Sequence, residues 1–341
     1  MINNWTRNDR LDWIDTIKGI GIILVVVGHH LRGLSWINTW ISSFHMPLFF
    51  LVTGYLYAYR QSWNFSIHKF FTNKIKGLLY PYATLSLIIL IWHFVFYNIF
   101  FTNSHPESST IEVFLLTITT YGYHALWFLP CLFLSSILFH LITKHNVHHL
   151  VCIFLMISLV LVNYILVSNY ITIYILRTLD ATVYIYFGYL FFLLLQKKRF
   201  IQIALLIISV SIIVLSFIIL HFFPSYFPRL DIRTGKIGNV LGYFFSLSIC
   251  FVIFWLCKKI NILNHIFGFW GKYSIIIMAL HMDISIEISY LIVSKFPFTL
   301  NDSSVSIFAI IIEFVLFWFI ILVMRKYSPF LYSWHGLKSQ K

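Results

Sequence analysis

The sequence predicts an all-α, polytopic integral membrane protein, and two of its features carry that prediction. The first is composition: 60% of the 341 residues are hydrophobic, aromatic residues included, and only 10% are charged. Soluble domains carry about 25% charged residues, so too few polar side chains remain to cover a water-facing globule. The second is a series of long apolar runs. Together they exclude a soluble enzyme, a disordered chain and a secreted disulfide scaffold.

Ten apolar runs approach the roughly 20 residues that a helix needs to cross a bilayer. The longest gaps between them, near 59–77 and 102–125, are too short to fold alone. We therefore predict one transmembrane domain over 1–341 with no soluble accessory domain. The ten predicted spans lie near 17–34, 40–58, 78–101, 126–143, 150–168, 171–195, 201–221, 238–257, 273–294 and 305–324.

Basic residues outnumber acidic ones, which gives a formal charge of +13. Cytoplasmic loops of membrane proteins are rich in Lys and Arg, and no nucleic-acid recognition module accompanies the charge, so we expect no nucleic acid partner. With the N-terminus inside, all but six of the 24 Lys and Arg residues lie on the cytoplasmic side. This sorting predicts ten spans with both termini cytoplasmic. The six exceptions are Arg32, Arg177, Arg229, Arg233, Lys236 and Lys295.

The first span holds two polar residues at helical spacing. Lys18 and His29 are eleven residues apart, which at 100° per residue puts both on one helix face, about 16 Å apart along the axis. An ionisable residue within a span is costly and is a default candidate for function. The alternatives are that Lys18 extends to the membrane surface or pairs with Asp15, and that His29 is an interhelical hydrogen-bonding residue.

Later spans hold further polar residues, each either functional or a structural part of the helix bundle. Arg177 and Asp180 are three residues apart and can neutralise each other on one helix face. Asp283 and Glu287 share a face, whereas His281 and Asp283 do not. We take four of these residues as candidates for acceptor binding or support of the site: Arg177, Asp180, His281 and Glu287.

Several chemistries have no support in the sequence. It contains no His-Glu-x-x-His, no Walker loop and no Gly-x-Ser-x-Gly motif, and the four cysteines lack the spacing of a metal or redox site. We therefore expect neither a metal nor a resident cofactor. The cysteines are predicted to be small buried hydrophobic residues.

Five motifs in order make the chain resemble membrane acyltransferase family 3, in its fucose 4-O-acetylase-like branch. The resemblance runs from about Trp13 to His281. Its motifs are WIDTIKGIGIILVVVGHH, FHMPLFFLVTGYLY, a Lys-rich entry to LLYPY, ALWFLP and FWGKYSIIIMALH.

The resemblance implies a multi-pass protein of the bacterial plasma membrane that transfers an acyl group, usually acetyl from acetyl-CoA. The acceptor it implies is a hydroxyl of a surface-polysaccharide sugar or of its lipid-linked precursor. The family's basic-x(10)-His motif falls on Lys18 and His29, where many members have Arg at the basic position. The family's basic entry to the third span falls on Lys74 and Lys76, and the late His of the family on His281. The Trp of its fourth-span motif falls on Trp127, a further candidate for acceptor binding or support of the site.

We expect His29 to act as general base on the acceptor hydroxyl, with Lys18, Lys74 and Lys76 binding the phosphates of the donor. Whether the reaction passes through an acyl-His intermediate stays open. His30, about 100° round the helix, is expected to be a packing or gating residue. Two other functions stay open: a secondary transporter or flippase for a glycan precursor, and a noncatalytic sensor or scaffold. No second copy of the Lys-x(10)-His pattern supports the internal repeat that many transporters show.

Overall fold

The computed structural model describes residues 10–31, 35–97, 114–115, 124–144, 170–222, 240–296 and 302–332. Within these ranges the regular structure is helical. Its α-helices are α1 Asp12–His30, α2 Ser35–Ser42, α3 His45–Tyr59, α4 Ile67–Lys74, α5 Tyr80–Ile91, α6 Phe128–Lys144, α7 Tyr170–Leu194, α8 Arg199–Phe222, α9 Val240–Lys259, α10 Ile262–Lys272, α11 Ser274–Leu280, α12 Ile286–Val293 and α13 Asp302–Tyr327.

Eight helical segments of the described ranges are long and apolar enough to cross a membrane, which confirms a multi-pass, all-α membrane protein. The predicted span 150–168 lies outside the described residues. Predicted span 171–195 corresponds to α7, a 25-residue helix that is not among the eight. The number of ten spans therefore stays a prediction. The eight segments are Asp12–His30, Trp36–Tyr59, Ile67–Val95, Ala125–Thr143, Arg199–Phe222, Gly242–Lys259, Ser274–Val293 and Ser304–Tyr327.

Two of the connections between predicted spans contain helical segments. The third membrane segment begins at Ile67, not near 78, so most of the gap placed at 59–77 belongs to a helix. The lysines in this stretch lower its mean hydropathy, so a search for apolar runs places the start of the helix too late. The connection before the ninth span contains α10, which has only eleven residues. A search for runs of 20 apolar residues cannot detect so short a helix.

The described chain is organised in two compact units, each discontinuous in sequence. The first comprises 1–28, 34–70 and 134–272, and the second 29–33, 71–133 and 273–341. Helix α1 thus contributes most of its length to the first unit, whereas its last two residues, His29 and His30, belong to the second.

In the first unit, α3 and α7 pack backbone against backbone through two glycines. A β-carbon at Gly54 would overlap the carbonyl oxygen of Ile185, and one at Gly188 would overlap the carbonyl oxygen of Leu51. Small residues of this kind let membrane helices approach closely, where packing takes the place of a hydrophobic driving force. The contact is reciprocal. Gly54 faces Ile185, three residues before Gly188, and Gly188 faces Leu51, three residues before Gly54.

A second close contact of the first unit fixes the start of α1. β-Carbons at Gly19 and Gly271 would overlap the carbonyl oxygens of Phe267 and Asp15, so α1 and α10 also meet at backbone distance. Three residues before Gly19, the Thr16 hydroxyl lies 3.1 Å from Asn264 Oδ1. The short helix α10 therefore holds the cytoplasmic half predicted for the first span.

The described part of the second unit contains three wide, π-helical turns: Ile75–Leu79 before α5, Trp92–Tyr97 after α5, and His281–Ser285 between α11 and α12. Such turns are rare and occur often at functional sites. The start of α5 is tied to the last described turn of the chain, since the Tyr80 hydroxyl donates to the Phe330 carbonyl at 2.7 Å.

Candidate active site

The end of α1 places two imidazole rings side by side in the second unit. The ring centroids of His29 and His281 are 5.1 Å apart, with an angle of 44° between the ring planes. His281 is fully buried, whereas His29 is half-buried. The structure thus brings together two residues that are 252 positions apart in the chain and that the sequence singled out separately.

The tautomer of His281 follows from its contacts. Its Nδ1 lies 3.1 Å from the Ile277 carbonyl oxygen and 3.0 Å from that of Met278. A carbonyl oxygen only accepts hydrogen bonds, so Nδ1 carries a proton. In the neutral ring the lone pair is then on Nε2. His281 is therefore held rigidly by its own helix, in the form in which Nε2 accepts a proton or a hydrogen bond.

His30 was expected to be a packing or gating residue, but the structure gives it two polar partners. Its Nε2 lies 2.5 Å from Glu313 Oε2, and both side chains are fully buried. Its Nδ1 lies 3.2 Å from the Tyr290 hydroxyl, whose ring also contacts the imidazole at 5.3 Å. The sequence contained one sign of this pair, because an acid such as Glu313 inside a span requires a partner.

The turn Trp92–Tyr97 makes a further pair of polar contacts within the same unit. His93 Nε2 lies 3.8 Å from Asp283 Oδ1, and both residues are buried. The Trp92 indole donates to Glu287 Oε2 at 3.4 Å. Asp283 and Glu287 thus both reach the turn after α5, in agreement with the shared face predicted for them. Residue spacing gave no sign of Trp92 and His93, because neither belongs to a motif.

Trp127 ends a short 3₁₀ turn, His124–Trp127, immediately before α6. Its side chain is buried, and the turn packs against α11 and against the wide turn His281–Ser285. The predicted acceptor residues Trp127, His281 and Glu287 therefore lie in the same unit as His29.

Lys18 makes the ion pair that the sequence left open as an alternative. Its Nζ lies 2.6 Å from Asp15 Oδ1, and the other carboxylate oxygen of Asp15 lies 2.5 Å from Arg10 Nε. Two cations and one anion leave this cluster with a net charge of +1. Lys18 keeps 27% of its side chain exposed, so the ion pair does not remove it from contact with a ligand.

The remaining predicted site residues lie as follows. Lys74 ends α4 and Lys76 follows in the turn Ile75–Leu79; both are half-buried and belong to the second unit. Arg177 and Asp180 are buried in α7, in the first unit. Asp180 accepts a hydrogen bond from the Tyr243 hydroxyl. The predicted roles of these residues stay predictions: binding of the acyl donor for Lys74 and Lys76, and acceptor binding or support of the site for Arg177 and Asp180.

A family model described as an acyltransferase domain matches residues 11–334 of the chain. The chain belongs to acyltransferase family 3. This finding confirms the family indicated by the five motifs. Among the described residues of this acyltransferase, no group of three or more His, Cys, Asp or Glu side chains is placed to hold a metal ion.

Two curated relatives are similar to parts of this acyltransferase. The nodulation protein NolL of Mesorhizobium japonicum is 32% identical over 151 residues, which cover 41% of this chain and 38% of that protein. The NolL protein of Sinorhizobium fredii is 46% identical over 59 residues, 14% of this chain and 16% of that protein. The matched part of the acyltransferase thus spans well under two thirds of either relative. No solved structure matches it.

Proposed function

We propose that this membrane acyltransferase transfers an acetyl group from acetyl-CoA to a hydroxyl of a surface-polysaccharide sugar or of its lipid-linked precursor, with His29 as general base. The observation that carries the proposal is the half-buried His29 ring, which lies in the last turn of α1 beside the buried His281. The other described histidines of the second unit whose burial is known, His30, His93 and His281, are all buried. His29 is therefore the imidazole that a substrate can reach.

The position of His29 also suits a base whose charge changes during the reaction. Carbonyl groups at the C-terminus of a helix give that end a partial negative charge, which favours a cation there. His29 lies in the last turn of α1, so the imidazolium that forms when it takes a proton is stabilised by its own helix.

The proposed reaction moves one proton and exchanges one bond. His29 accepts the proton of the acceptor hydroxyl while the oxygen forms a bond with the thioester carbonyl carbon. The tetrahedral intermediate then collapses, the carbon–sulfur bond breaks, and the CoA thiolate takes the proton from His29. His281, held by the carbonyls of Ile277 and Met278, supports the orientation of the His29 ring.

Lys18 is the proposed donor-binding residue. It lies eleven residues before His29 on the same continuous helix, about 16 Å along the axis, a distance that suits a long donor with phosphates at one end and the thioester at the other. A lysine binds phosphate as a point charge, without the two parallel hydrogen bonds of an arginine. Lys74 and Lys76 are proposed to make weaker contributions to the same function.

The test is acetyl transfer to purified glycan precursor in membranes, normalised to protein level. His29→Gln keeps a hydrogen-bonding side chain but takes up no proton, so the rate should fall by roughly 10² to 10⁴. His281→Ala should retain more activity than His29→Ala, since it removes the neighbour and leaves the base. Near wild-type activity of His29→Gln would make His29 structural. Mass spectrometry of surface glycans, with and without the protein, identifies the acceptor.

A further inference from the structure

We propose that the buried His30–Glu313 pair is a positioning pair: it ties the end of α1 to α13 and thereby fixes the ring of His29. The inference rests on the proposed function, because it treats His29 as the residue whose placement matters. His30 and Glu313 are 283 residues apart in the chain, and their contact, at 2.5 Å between Nε2 and Oε2, lies immediately beside the proposed base.

The contacts of His30 prevent it from acting as the base itself. Glu313 Oε2 takes the hydrogen bond of Nε2, and the Tyr290 hydroxyl occupies Nδ1 at 3.2 Å. With both ring nitrogens engaged and no exposed surface, the His30 imidazole offers neither a lone pair nor an approach to a substrate hydroxyl. The half-buried His29 has such an approach.

The same contacts make the end of α1 rigid. Three features hold the His30 ring: the short contact with Glu313, the hydrogen bond with Tyr290 and the ring contact of 5.3 Å with the same tyrosine. Since His29 precedes His30 directly, any rotation of the last turn of α1 displaces both rings together.

A polar pair this deeply buried is poorly explained by stability alone. Taking polar groups out of water is costly, and well-packed apolar residues of similar volume are often as stable or more so. A pair that fixes one geometry is a better explanation, because a displacement of about 1 Å at a reacting group costs roughly 10²-fold in rate.

The experiment compares Glu313→Gln with the double variant His30→Gln/Glu313→Gln, using Asp12→Asn and His68→Gln at exposed positions as controls. Each variant is assayed for kcat, for KM with acetyl-CoA and for thermal stability. We expect kcat of Glu313→Gln to fall by about 10- to 100-fold, with KM changed less than threefold. The double variant replaces both partners, so it should recover stability, but kcat should stay low because flexible amides do not hold the helix end.

A second measurement is independent of activity. The rate at which diethyl pyrocarbonate modifies His29, followed by mass spectrometry of its peptide, should rise severalfold in both Glu313 variants as the last turn loosens. An unchanged modification rate, or recovery of kcat together with stability in the double variant, would overturn the positioning role. If His29→Gln stays active while His30→Gln is inactive, His30 is the base and the proposed function falls with the inference. If His29 is modified faster in both Glu313 variants but His29→Gln is active, the pair still fixes the end of α1 and only the role of His29 as base is overturned.

Discussion

The reciprocal glycine contact between α3 and α7 gives a quantitative prediction about stability. In Gly54→Ala the new β-carbon meets the carbonyl oxygen of Ile185, a backbone atom that has no rotamer to change. The two helices must move apart, and overpacking of this kind costs about 3 kcal/mol at the upper end of its usual range. Alanine regains about 1 kcal/mol through its higher helix propensity. The net loss is therefore about 2 kcal/mol of unfolding free energy.

The matched control is Gly77→Ala, because a β-carbon at Gly77 would meet nothing within 4 Å. That variant should be neutral or slightly stabilised. The assay is thermal unfolding in detergent followed by tryptophan fluorescence, where Gly54→Ala should unfold roughly 4 °C lower, at about 2 °C per kcal/mol for a large chain. The double variant Gly54→Ala/Gly188→Ala should lose less than the sum of the single losses, because one helix displacement accommodates both methyl groups. Equal melting temperatures of Gly54→Ala and Gly77→Ala would refute this account of the contact.

Three further predictions concern topology and donor binding. Single cysteines at Ser108 and Lys341 should react differently with an impermeant reagent in intact cells, the first labelled and the second protected; a labelled C-terminus contradicts the ten-span topology. Lys18→Ala should raise KM for acetyl-CoA by about tenfold or more, which is the value of a charged hydrogen bond, and should change kcat little. An unchanged KM would show that Lys18 serves only in the ion pair with Asp15. Asp15→Asn should lower that KM, by no more than about fivefold because the ion pair is partly exposed. A higher KM in Asp15→Asn would show that Asp15 orients Lys18.

Most of the membrane segments could be predicted from the sequence because the bilayer imposes a length and a polarity on each of them. The same rule fails where a helix is short or carries charged side chains. Helix α10 is too short to be detected as a span, and α4 carries lysines that resemble a connecting loop. Helix α10 is recognised only through its partner, by its backbone contact with α1.

Helical spacing relates two candidate residues when they lie on one helix and not when they lie on two. Lys18 and His29 share a face of α1, and helical spacing reveals that at once. The pair His30–Glu313 joins α1 to α13, and no periodicity within either helix indicates it. Rotation by 100° from His29 suggested a packing role for His30, but in the interior of a bundle every face of a helix has a neighbour, and that neighbour here is an acid.

The wide turn at His281–Ser285 has a consequence for the relation between this chain and its relatives. A π-helical turn closes its hydrogen bonds one residue later than an α-helical turn, so it amounts to a one-residue insertion within an otherwise regular helix. Everything after it, Glu287 included, is rotated by about 100° relative to an uninterrupted helix. A relative that lacks the inserted residue would need a single-residue gap at this point in an alignment. Such a relative would direct different side chains towards Trp92, so insertion and deletion can change the selectivity of a site as effectively as substitution.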